Sequence, residues 1–137
     1  MPKLKKLSVE YRKRGYEGLT RLIAALIRAS PHLEEFGLTY NWLPATTKKD
    51  RQLEDAIRFP HHHLKVFELS CNYSRISTVM VDIVGGILEN CVVLEKIIVD
   101  PSGGHFPIDD REKSTRRRRA KKQHEPQVPQ HIELVIL

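Results

Sequence analysis

The chain has 137 residues, of which 40% are apolar and 29% charged, enough for one modest core and too mixed to be disordered throughout. Its first residues, Met1-Pro2-Lys3-Leu4-Lys5-Lys6-Leu7, show no secretion signal, and charges at Asp82, Glu89, Glu95 and Lys96 break its most apolar stretches below the roughly 20 residues a membrane helix needs. Net charge is +6, yet eight Lys or Arg against the single Glu112 between Arg111 and His124 put +7 into one tract and leave the rest of the chain at −1.

In chain order, the first predicted element is a strand carrying Leu4, Leu7 and Val9. A helix follows from about Tyr16 to Ser30, because Leu19, Leu22, Ile23, Leu26 and Ile27 fall at i, i+3, i+4, i+7 and i+8, and Pro31 stops it. Leu33, Phe36 and Leu38 mark a second strand, with Asn41 and Leu43 beyond it. From Pro44 to His63 the pattern weakens, and only Leu53, Ala56 and Ile57 suggest a short helix before Pro60. Leu64, Phe67 and Leu69 then mark a third strand, followed by Asn72.

A second strong helix carries Met80, Ile83, Val84, Ile87, Leu88 and Cys91, with Thr78 as its expected N-cap and Asp82 near its positive end. Gly85 and Gly86 weaken it by roughly 0.8 to 1 kcal/mol each, so packing must hold it. Leu94, Ile97 and Val99 form a fourth strand, and Pro101-Ser102-Gly103-Gly104 opens a loop. The charged segment 109–124 is expected as a helix leading to a closing strand near 131–136, with Ile132, Leu134 and Ile136 on one face and, on the other, Val135 and Leu137, which any following layer would partly bury.

The strand segments start at 4, 33, 64 and 94, spaced by 29, 31 and 30 residues, with apolar residues in first, fourth and sixth place. The stretch Leu33-Glu34-Glu35-Phe36-Gly37-Leu38-Thr39-Tyr40-Asn41-Trp42-Leu43 fits the leucine-rich-repeat template, with Phe in one Leu position; the first and last copies lack the Asn. A larger block also recurs: Leu19, Leu22, Ile23, Leu26, Ile27, Leu33, Phe36 and Leu38 reappear 61 residues on as Met80, Ile83, Val84, Ile87, Leu88, Leu94, Ile97 and Val99. The expected fold is therefore α/β, a single short leucine-rich-repeat solenoid over 1–137, with parallel strands on one face and helices on the other.

Leu64-Lys65-Val66-Phe67-Glu68-Leu69, the run from Ile87 to Pro101 and the ending Pro129-Gln130-His131-Ile132-Glu133-Leu134-Val135-Ile136-Leu137 resemble the C-terminal region of plant, especially grass, F-box/leucine-rich-repeat proteins. That resemblance implies the substrate-recognition part of a cullin-RING ubiquitin ligase. It also implies a separate F-box docking a Skp-type adaptor. No stretch before Leu4 supplies an F-box, so the expectation is a fragment, an incompletely read gene or a truncated relative.

The expected function is thus protein binding and not catalysis. Glu35, Glu68 and Lys96 on the solvent side of the strands are the candidate contacts, together with Tyr40 and Trp42 just past the second strand. Those aromatics are either partner anchors or, for Trp42, a cap on the core. His61-His62-His63, even with His105, lack metal-ligand spacing, and Cys71 and Cys91 have no nucleophile signature. Neither glycine cluster continues as a phosphate loop, so no metal, cofactor or catalytic residue is expected.

Two cysteines make no disulfide framework, which suits the cytoplasm or nucleus. For Arg116, Arg117, Arg118, Arg119, Lys121 and Lys122 three readings stand: a solvated helix, a nuclear import tract or a nucleic-acid patch. The absence of aromatic neighbours argues against nucleic acid as the main partner. A third possibility is a residual fragment without a function of its own.

Overall fold

A computed structural model describes residues 4–11, 19–40, 61–71, 78–101 and 109–137. Within them the chain is α/β. The strands are β1 (Lys6–Tyr11), β2 (Glu35–Tyr40), β3 (Val66–Cys71), β4 (Lys96–Asp100) and β5 (Glu133–Ile136). The helices are α1 (Leu19–Ala29), α2 (Thr78–Asn90) and α3 (Asp110–His124). All five strands lie in one parallel sheet in the order β1-β2-β3-β4-β5.

The register explains the spacing of the apolar residues. It sets Leu7, Phe36, Phe67, Ile97 and Leu134 side by side across the sheet, and Val9, Leu38, Leu69, Val99 and Ile136 in a second ladder. Because strand side chains alternate faces, both ladders point the same way, into the core. Phe36, Phe67, Ile97, Leu38, Leu69 and Val99 are all at most 1% exposed, whereas Leu7, Val9, Leu134 and Ile136 on the edge strands are half-buried. Among the described residues, each edge strand has a neighbour on one side only. Leu33, Leu64 and Leu94 fill the layer beneath the strand starts.

The helices bury their apolar stripes in the same core, through Ile23, Ala24 and Ile27 of α1 and Ile83, Val84 and Ile87 of α2. Helix α1 is described from Leu19, so Tyr16 to Gly18 lie outside the described residues, and it ends one residue before Ser30. The predicted start of α2 needs correction. Thr78 is already helical, so it is not the residue before the helix, and no acidic residue falls in the first turn, which leaves Asp82 in the second. The short helix expected around Leu53 to Ile57 lies outside the described residues.

Helix α3 starts at a side-chain cap: Asp109 is extended, and its Oδ1 accepts from the Glu112 backbone N–H at 2.8 Å. Asp110 and Glu112 in the first turn and Lys121, Lys122 and His124 in the last suit the helix dipole at both ends. Ala120 and His124 are fully buried. The chain then turns through Gln127, whose Nε2 donates to the Val81 carbonyl of α2 at 2.6 Å. This contact uses the glycine that propensity disfavours, since a Cβ on Gly85 would sit 3.3 Å from Gln127 Nε2. The closing strand is β5, shorter than expected, with Ile132 buried just before it. Val135 is half-buried and Leu137 is 55% exposed.

Candidate protein-binding face of the sheet

The strand residues between the core positions form rows on the opposite, solvent side of the sheet. One row is Lys6, Glu35, Val66, Lys96 and Glu133; the next is Ser8, Gly37, Glu68, Ile98 and Val135; a third holds Glu10, Thr39, Ser70 and Asp100. Three of the residues expected as contacts, Glu35, Glu68 and Lys96, therefore share this face.

The first row carries two ion pairs, Lys6 Nζ to Glu35 Oε2 at 3.6 Å and Lys96 Nζ to Glu133 Oε2 at 3.9 Å. All four side chains are well exposed, so each pair contributes about 0 to 1 kcal/mol and yields readily to a better partner. Val66 lies between the pairs. In the next row Glu68 is exposed, with Ile98 on one side and Gly37 on the other. Gly37 keeps the surface low beside Glu68, since a Cβ there would come within 3.3 Å of Ser8 Oγ.

At the strand starts this face deepens into a groove of about 360 Å³ lined by Lys5, Lys6, Glu34, Glu35, Lys65, Val66 and Glu95. Backbone bonds fix its floor. Glu34 and Glu35 N–H donate to the Lys5 carbonyl, Lys65 and Val66 to that of Glu34, and Glu95 and Lys96 to that of Lys65. Lys5, Glu34, Lys65 and Glu95 each directly follow the first leucine of a repeat copy, so alternation of charge along the groove is present in the sequence at a fixed offset. None of these four is among the contacts expected from the sequence.

Tyr40 is the last residue of β2, at the register position paired with Cys71, and not beyond the strand. Trp42 lies outside the described residues.

The histidine run leads into β3, and His61 bridges to Cys91. His61 is 6% exposed, and both ring nitrogens are engaged. Nδ1 accepts from the backbone N–H of His63 at 3.2 Å and Leu64 at 3.0 Å, which leaves the proton on Nε2 to donate to the Ser30 carbonyl at 2.9 Å. It is a structural strut tying one turn to the preceding one. His32 and His63 approach each other with ring centroids 5.3 Å apart. With Ile27, Arg28, Pro31, His61 and His62 they line a cavity of about 370 Å³. Among the described residues no group of three or more His, Cys, Asp or Glu is arranged to hold a metal ion; His105 lies outside them.

Cys71 and Cys91 are both buried and form no disulfide. Burial pushes the Cys91 thiol up to about 12, the opposite of the activation a nucleophile needs.

The basic tract falls within α3, which divides it. Arg116 turns inward, 11% exposed, with Nε 2.9 Å from Glu112 Oε1, whereas Arg117, Arg118, Lys121 and Lys122 are exposed. No helix among the described residues is long and apolar enough to cross a membrane. Comparison with known protein families, characterised proteins and solved structures finds no match for this chain.

Proposed function

We propose that the chain is a short leucine-rich-repeat module that binds a protein through the solvent face of its sheet. The observation that carries this reading is the in-register stacking of five consecutive parallel strands, which presents Glu35, Glu68 and Lys96 with the alternating charges of the groove as one continuous surface. Repeat proteins recognise partners on extended surfaces of this kind. The chemistry favours a partner of mixed charge, whose cations meet Glu35 and Glu68 and whose acids meet Lys65 and Lys96. Resemblance to F-box/leucine-rich-repeat proteins extends the proposal to a target presented for ubiquitination, with a Skp-type adaptor engaged by an F-box elsewhere in a longer product.

The test is capture and identification of a partner by the immobilised full chain, followed by titration of that purified partner. Glu35→Lys with Glu68→Lys weakens a partner held on this face by at least tenfold, while Arg117→Gln with Arg118→Gln leaves it unchanged. A partner indifferent to the first pair overturns the assignment of the surface.

A further inference from the structure

Helix α3 carries a feature that the sheet-face function leaves unused. With about 100° between successive residues, Arg111, Arg117, Arg118, Lys121 and Lys122 fall within an arc of about 140°, and all five are exposed. Along the axis they span about 16 Å at 1.5 Å per residue. The acids on this arc are Asp110 and Glu125, one at each end, and Glu125 reaches Lys121 only at 4.0 Å. Glu112, the acid within the tract, is engaged with Arg116 outside the arc. Ala120, the one apolar residue of the helix, is fully buried.

We infer that this arc is a docking surface for the phosphate backbone of a nucleic-acid duplex, bound without regard to base sequence. Charge complementarity selects a polyanion. The missing apolar residues select its kind: an interfacial membrane helix inserts an apolar face, and a protein interface buries a core depleted of charge, and this arc offers neither. Phosphate contacts need only cations and are read by salt through counterion release. Single strands are bound largely by stacking on aromatic side chains, which this arc lacks, so the duplex is favoured. Arg117 and Arg118 add the planar, two-pronged geometry that suits phosphate oxygens.

The experiment is a fluorescence-anisotropy titration of the full chain against two unrelated duplexes of 20 base pairs over a range of salt concentrations. With four to five phosphates neutralised, log K against log salt falls with a slope of about −4 for both duplexes. Arg117→Gln with Arg118→Gln flattens the slope by about 2, whereas Arg116→Gln leaves it unchanged because that guanidinium lies off the arc. Circular dichroism of each variant verifies that α3 is intact. Equal losses for Arg116→Gln and the double variant overturn the inference, as does a slope indifferent to both. Tighter binding to phosphatidylserine vesicles than to duplex at the same salt assigns the arc to a membrane surface and also overturns it.

Discussion

Replacing Phe67 by alanine removes a fully buried ring from the middle strand, where it lies 6.0 Å from Phe36 at an interplanar angle of 8°. Strands on both sides hold the site open, so the cavity cannot close; Phe67→Ala is expected to lose about 3–5 kcal/mol, measured as a lower urea midpoint. His124 makes stability depend on pH. Burial lowers its affinity for a proton below the ordinary imidazole value of 6.5, and the side-chain bond to Gln127 opposes this only in part. The unfolded chain therefore takes up this proton more readily than the native one. Its contribution is complete above about 6.5 and is lost as pH falls from there through the lower native value. His124→Gln flattens the pH dependence of the melting temperature in that range. Cys71 and Cys91 should both be silent to a disulfide thiol reagent at pH 8 in the native state and react together on unfolding, read as absorbance before and after adding guanidinium.

At the scale of elements, α2 and the turn after α3 are fastened by one side chain. Gln127→Ala removes the bond to the Val81 carbonyl and is expected to lose about 0.5–1.5 kcal/mol. Gly85→Ala gains helix propensity, up to about 1 kcal/mol. In the native background part of that gain is lost, because Gln127 Nε2 must retreat from a 3.3 Å contact. In the Gln127→Ala background the full gain returns, so a double-mutant cycle by chemical denaturation gives a non-zero coupling between the two positions.

The sequence showed Gly85 as a weakness and could not show what approached it, since Gln127 lies 42 residues away. The strands and the two apolar helices were legible because a period of 2 or 3.6 is local information. The α3 start is legible too, in Asp109-Asp110-Arg111-Glu112, whose acid pair three residues apart resembles a capping box. The placement of Glu35, Glu68 and Lys96 on the solvent face followed from alternation alone. The groove did not, since its walls come from several strands at once. The role of His61 depends on a carbonyl 31 residues earlier, which only the fold brings near.

For the molecule as a whole, each described strand pairs with its neighbours in the order of the described strands. Stability should accordingly grade along the sheet. Amide hydrogen exchange is expected to be slowest in β3, which has two complete neighbours, and faster in β1, which has one. Equal protection in β1 and β3 would contradict this. The same order has a mechanical consequence. Lys6 on one edge strand and Glu133 on the other lie at the same register level, so a force drawn between them acts across the stack, along the hydrogen bonds that join strand to strand. Such a load opens one ladder at a time instead of shearing all of them together, and the fold yields by peeling from an edge.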